Sequence, residues 1–398
     1  MTTTSARVFD PYDYAFHDDP YPTYAWLREE APVYRNPDRG FVALSRHADV
    51  LQAFREAEVF SSADGVSLDP AATGPQAERV MSFLAMDDPR HFRMRSLVTK
   101  GFTPRRVAEL ETRVREITHE HLDTAVAGGA LDFIDDLAGK VPMDVVSELL
   151  GVPEADRTEL RRLADLVVHR EDGVLDVPPA ANDASLQLIV YYLELIADRR
   201  ATRREDLTSA LIDVEVDGEH LTDEELCAFL FLMVVAGNET TTKLLGNMWF
   251  WADEHPDQKQ RVLTGDVSIA QWVEETLRYD ASSQVIARTV RADTEIAGQT
   301  LRSGERALLL IGSANRDPRV FADPDRYDLG RDASELLSFG VGPHYCLGAN
   351  LARLEAKVVM EELLGLVGEW HVERAGIERV HSVNVRGFAH LPSTVVRR

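Results

Sequence analysis

The sequence predicts a single, mainly α-helical domain with a small β region at one edge, spanning residues 1–398. Three observations support this. Apolar residues recur at helical spacing through most of residues 92–280. One segment after Thr222 stays apolar for about thirty residues, roughly 45 Å at 1.5 Å per residue. Short β-branched runs punctuated by glycine follow residue 285.

In chain order, residues 5–25 read as irregular, Tyr24–Glu30 as a short helix, Gly40–Ser45 as a strand and Ala48–Ala57 as a helix. Residues 61–80 are small, polar and rich in Gly and Pro, the texture of a long functional loop. Val107–Val126, Val141–Leu150 and Ser185–Arg200 carry helical periodicity. The long helix opens on a capping box, Thr222 with Glu225, and adds Asp223 and Glu224 where the helix dipole favours negative charge. His255-Pro256 stops it. A helix this apolar belongs in the core. Residues 268–279 form another helix. Val285–Val290, Thr294–Ala297 and Arg306–Ile311 read as strands, with turns at Gly298 and Ser303-Gly304. Residues 312–345 are irregular, a last helix runs from Leu347 to about Val367, and short strands follow His371.

Composition narrows the function. The chain carries 43 basic and 67 acidic residues, a net charge of -24. Repulsion then opposes binding to nucleic acid or an anionic membrane. Its 2 cysteines, Cys227 and Cys346, form no C-x-x-C pattern and no disulfide framework, which suits a reducing cytoplasm. Met1–Pro22 has no apolar core of a signal peptide. The longest uncharged apolar run, Leu226–Asn238, is too short for a membrane anchor.

The most informative stretch is Ser338–Glu355, SFGVGPHYCLGANLARLE. Gly340, Gly342 and Gly348 allow tight turns and close approach. Cys346 precedes the N-terminus of an apolar helix, whose free N–H groups and dipole favour a thiolate. One thiolate near a cationic His344 suits a haem iron ligated by sulfur. The spacing F-x-x-G-x-H-x-C-x-G from Phe339 to Gly348 resembles the haem-binding loop of the cytochrome P-450 family.

Further matches run in order along nearly the whole chain. Ala236-Gly237-Asn238-Glu239-Thr240-Thr241 on the long helix resembles the family's oxygen-binding signature. Ala236 and Thr240 share a face, and a threonine there can bond back to the carbonyl four residues earlier and open a groove. Glu275 and Arg278 match E-x-x-R, and Pro324-Asp325-Arg326-Tyr327 resembles the element that brings a second arginine, Arg326, to that pair. His91 and Arg95 fit H-x-x-x-R, and Arg288 is similar to the strand arginine that follows. The resemblance implies a cytochrome P-450 fold, with haem b between the long helix and the cysteine loop. It implies that His91, Arg95, Arg288 and His344 hold the haem propionates. Cys346 would ligate the iron. Phe339, Gly340, Gly348, Ala236 and Gly237 would contact the ring. Asp88 stands at a usual proline position, and Glu239 replaces the commoner aspartate.

The implied activity is a monooxygenase that inserts one atom of O2 into a hydrophobic small molecule such as a terpenoid, steroid, fatty acid or polyketide. Thr240, with Glu239, would deliver protons. Pocket candidates are Leu68, Met81, Phe83, Leu84, Leu232, Val235, Val285, Ile286 and Phe388, mostly apolar as ligand pockets generally are. Six Lys/Arg and no Asp or Glu lie between Pro89 and Ala108. With Arg353, the residues Arg93, Lys100, Arg105 and Arg106 are expected to dock an acidic ferredoxin, itself fed by a ferredoxin reductase. Two alternatives keep the haem: a peroxide-driven peroxygenase, and a non-catalytic gas-binding protein.

Overall fold

A computed structural model describes residues 7–99, 102–174, 176–215 and 218–398. Its centre is the helix Asp223–Glu254, 32 residues long, with the expected capping box between Thr222 and Glu225 intact. Most of its residues from Leu226 to Ala252 are buried. Around it pack Lys140–Leu150, Glu154–Val168, Pro179–Ala201, Ile269–Tyr279 and Ala349–Leu366.

The periodic run 107–126 is two helices, Pro104–Glu109 and Glu111–Val126. Helix Glu154–Val168 falls in the broadly helical stretch without having been singled out. It buries a narrow stripe, Leu160, Leu163 and Ala164, so its apolar signal is thin.

The β part is assembled across the chain. Its main sheet has the order Val33–Arg35, Phe41–Leu44, Arg306–Leu310, Val285–Val290 and Phe60–Ser61. Phe41–Leu44 runs parallel to Arg306–Leu310, with Phe41 opposite Arg306. The turns at Gly298 and Gly304 are present. A second sheet joins Ala130–Asp132, Pro392–Arg397 and Val367–Val372. Trp249 stacks between Phe133 and Trp370, with centroids 4.7 and 4.2 Å away, and pins this sheet to the central helix.

A short helix, Ile311–Ala314, opens the segment expected to be irregular, and the irregular residues 315–338 after it are held by buried polar bonds. Arg278 donates to Glu275 through two bonds of 2.8 Å, and both side chains are almost fully buried. Its remaining donors reach the carbonyls of Asn315 at 3.0 Å and Pro324 at 2.9 Å. The second guanidinium on Glu275 is that of Arg331, at 3.4 Å, not Arg326. Arg326 contributes its backbone carbonyl to Arg278 instead. The chain has turned by Asp328, whose N–H donates to Glu275, and this brings Arg331 back to the pair.

Candidate active site

The cysteine loop hangs from this anchor. Ser338 Oγ donates to the Leu277 carbonyl at 2.6 Å, and Asn315 Nδ2 donates to Ser338 Oγ at 2.7 Å. Gly340 and Gly342 have φ of 67° and 79°, a region costly for other residues. A Cβ on Gly342 would lie 3.1 Å from the Phe54 carbonyl oxygen, so the loop also needs the missing side chain there. The Cys346 N–H donates back to the Phe339 carbonyl at 2.9 Å and closes the loop.

Cys346 opens onto an internal cavity of about 240 Å³. One wall is the cysteine loop with Gly348, Leu351, Ala352 and Glu355 of the following helix. The opposite wall is a face of the central helix, Leu232, Met233, Ala236, Gly237, Thr240 and Leu244. Thr240 Oγ1 donates to the Ala236 carbonyl at 2.8 Å, so the expected back-bond is present.

Burial pushes the Cys346 thiol up, while the amides of Gly348 and Ala349 and the charges of Arg95 and Arg353 pull it down. In the protein alone burial wins; a metal taking the sulfur as ligand deprotonates it outright. The expected N–H groups do face the sulfur.

Four nitrogenous side chains gather at one rim. The His91 and His344 rings lie 4.1 Å apart between centroids. Asp88 caps the helix Arg90–Thr99 by accepting from the Phe92 N–H at 3.0 Å, and also meets His91 Nδ1 at 3.3 Å. That leaves His91 Nε2 buried without a partner, as is His344 Nδ1. Arg288 is buried and donates to the neighbouring Ala287 carbonyl at 2.9 Å. Burial and then Arg306 push its guanidinium down to about 10. His344 is pushed down to about 2 by burial, with Arg288, His91 and Arg95 adding repulsion. In the protein alone, burial and the cations around it therefore disfavour the charged form of His344. With His91 Nε2 and His344 Nδ1 unpartnered and Arg288 in no ion pair among the described residues, the rim fits a ligand that brings carboxylates. A porphyrin with two propionates, lying between Cys346 and the Ala236–Thr240 face, meets that demand.

The structure brings Arg95, Arg288, Ala236, Gly237, Thr240, Phe339, Gly340, His344, Cys346 and Gly348 to the cavity wall, with Phe83, Leu84, Leu232 and Ile286. His91 stands behind His344. The other pocket candidates do not reach the wall. Val285 alternates with Ile286 along its strand, so it faces the buried cluster of Phe9, Phe16 and Tyr24. Leu68 packs on the same cluster. Phe388 packs on Phe250, with ring centroids 4.8 Å apart. Met81 and Val235 are partly buried outside the wall. Phe54, Phe102, Pro142, Val146 and Ser283 line the cavity without a motif to announce them.

Glu239 turns away from the cavity. It is buried, and its carboxylate lies 3.2 Å from Lys243 Nζ, which is buried too. The two residues are four apart on the central helix, and the pair lies inside the protein.

The basic segment is less free than its local sequence implies. Arg93 pairs with Glu219 and Glu225, Arg105 with Glu109, and Arg353 with Glu274. Arg106 is exposed and has no ion pair among the described residues. Lys100 lies outside the described residues.

A helical body with a thiol and a cation-rimmed cavity beneath a grooved central helix defines a haem-thiolate protein. The cytochrome P-450 family profile matches residues 269–366. A putative cytochrome P-450 123 of Mycobacterium tuberculosis is 57% identical, covering 98% of both chains. The vitamin D(3) 25-hydroxylase of Pseudonocardia autotrophica is 36% identical, covering 99% of this chain and 98% of its own. A solved cytochrome P-450 from Chondromyces apiculatus superposes with a TM-score of 0.86 at 35% identity, covering 98% of each chain. The chain belongs to the cytochrome P-450 family of haem b monooxygenases. No helix among the described residues is long and apolar enough to cross a membrane.

Proposed function

We propose that this chain oxygenates a hydrophobic small molecule in the cytoplasm, by hydroxylation or epoxidation, with electrons from NAD(P)H through a ferredoxin reductase and an acidic ferredoxin. The observation that carries it is the placement of Cys346 and the Ala236–Thr240 step on opposite walls of one mostly apolar cavity. Cys346 would ligate the haem iron, and His91, Arg95, Arg288 and His344 would hold the propionates. Haem, when bound, supplies oxygen activation and insertion, with the thiolate favouring O–O cleavage. The protein residues do the rest. Phe83, Leu84, Leu232 and Ile286 exclude water and orient the substrate. Thr240 holds a proton donor in the groove at Ala236, resupplied through Glu239. Retention of this acid–alcohol pair favours the monooxygenase over the peroxygenase reading. The relative named for vitamin D(3) hydroxylation supports a bulky apolar substrate.

The test is the spectrum of the reduced protein with carbon monoxide, then NAD(P)H-dependent product formation with ferredoxin and reductase. A thiolate-type Soret band and coupled product are expected. A neutral-ligand band, or product from peroxide alone, would sink the proposal.

A further inference from the structure

Between the helix Ile269–Tyr279 and the strand Val285–Val290 the chain brings two adjacent serines, Ser282 and Ser283, to the cavity wall. Ser282 is 5% exposed, and its Oγ has no hydrogen-bond partner among the described residues. Ser283 is half-buried, and its hydroxyl likewise forms no hydrogen bond among them. A buried hydroxyl left unpaired is costly, so this segment lacks a partner that something else must bring. Thr240 and Ser338 share the wall but spend their hydroxyls on the Ala236 and Leu277 carbonyls.

The backbone holds the two serines in place. Ser283 sits opposite Val385 in an antiparallel bridge. On one side of it the Arg386 N–H donates to the Ser282 carbonyl at 2.8 Å, and on the other the Gln284 N–H donates to the Asn384 carbonyl at 2.8 Å. Gln284 is occupied elsewhere: its Nε2 donates to the Ala281 carbonyl at 2.8 Å, and its Oε1 accepts from the Tyr24 hydroxyl at 3.1 Å. Further along, Ile286 returns to the wall, ahead of Arg288 at the cation-rich rim. That rim answers the carboxylates of a porphyrin. The other edges of a porphyrin are apolar and offer a hydroxyl nothing to bond, so the missing partner belongs to the substrate.

We propose that Ser282 and Ser283 form a polar subsite for one neutral oxygen of the substrate, a hydroxyl or a carbonyl, while the apolar wall takes its skeleton. A serine hydroxyl both donates and accepts and carries no charge. A carboxylate held there would be a buried charge to which the serines bring no cation. The class that fits is an oxygenated terpenoid, steroid or polyketide. A plain hydrocarbon leaves the hydroxyls unpaired, and a fatty acid held by its carboxylate meets the wrong chemistry. Fixing one oxygen of the substrate also fixes which carbon is presented for oxidation. This inference rests on the reading of the cavity as the substrate site of a monooxygenase.

The experiment compares holoenzymes of wild type, Ser282→Ala, Ser283→Ala, the double alanine variant and Ser283→Thr. Each is titrated with cyclododecane, cyclododecanone and dodecanoate, binding being read by equilibrium dialysis and by the Soret shift. In the double variant the affinity for the ketone falls about tenfold, while the affinities for cyclododecane and dodecanoate stay at their wild-type values. Each single alanine variant loses part of that factor, and Ser283→Thr, which keeps a hydroxyl, retains most of the affinity for the ketone. Oxidation of cyclododecanone gives one dominant product in wild type and a spread of positions in the double variant. The reduced carbon monoxide spectrum shows that each variant holds haem; if the double variant does not, the single variants carry the comparison. An equal loss for ketone and hydrocarbon means packing alone and overturns the inference. A loss confined to dodecanoate, or no loss for any of the three, overturns it too. A wild type with the thiolate-type band whose ketone affinity is indifferent to both serines rejects this inference alone. A wild type without that band rejects the monooxygenase reading, and this inference with it.

Discussion

Thr240 and Arg288 show what single side chains do here. The Thr240 hydroxyl takes the Ala236 carbonyl at 2.8 Å and so diverts one acceptor of the central helix beside the cavity. Removing the hydroxyl removes the group proposed to position a proton donor, but little packing. Thr240→Ala is therefore expected to fold normally and to divert most reducing equivalents to peroxide, as a peroxide assay beside product analysis will show. Arg288 is a buried guanidinium with no ion pair among the described residues. A charge-assisted bond contributes about 1.5–3 kcal/mol. Arg288→Leu should thus weaken haem retention by roughly ten- to a hundredfold, measured by transfer of haem to an apo-myoglobin scavenger. The motifs had marked both residues. They had not marked Arg331, because nothing in local spacing says which distant carboxylate it will meet.

Helix ends and anchors are where stability concentrates. Glu275 accepts from Arg278, Arg331 and the Asp328 N–H, so it joins the helix Ile269–Tyr279 to the irregular segment above the cysteine loop. Replacing Glu275 by Ala leaves an almost fully buried guanidinium uncompensated. The expected loss is about 3–5 kcal/mol, seen as a lower denaturation midpoint together with loss of the thiolate-type spectrum. Thr222→Ala removes half a capping box from the central helix. It should cost about 1 kcal/mol and leave the spectrum intact. Helix existence was readable in the sequence because the apolar period and the capping residues act locally. The division at Leu110 and the helix Glu154–Val168 were harder to read, since a continuous helical period hides a break and a narrow buried stripe gives little contrast.

For the whole molecule, net charge and protonation set the conditions. Burial and then Glu239 push the carboxyl of Asp165, on the helix Glu154–Val168, up to about 8, so above the ordinary carboxylate range the folded protein is expected to hold a proton there that the unfolded chain releases. Stability should therefore fall as pH rises through this window. Thermal melts of Asp165→Asn should be flatter over the same range. Electron transfer from the proposed acidic ferredoxin should weaken with salt, but gently, because Arg93, Arg105 and Arg353 already pair with glutamates of this chain. Haem binds the folded chain and relieves the unpaired rim, so the apoprotein should melt below the holoprotein, by an amount that grows with haem affinity.

The sequence by itself determined the helical class and the central helix with its cap, and it marked the cysteine loop and the basic side chains that gather at the cavity. Those features rest on short-range period, capping chemistry and a tightly spaced loop. Only the tertiary structure decided which arginine completes the Glu275 pair, which apolar candidates face the cavity, and that the Glu239–Lys243 pair is buried beneath other segments. It also showed that the basic segment finds its acids elsewhere in the chain. The physical reason is common to all four: strand alternation, burial and ion pairing between distant segments depend on where the chain returns, and local residue spacing carries no record of that return.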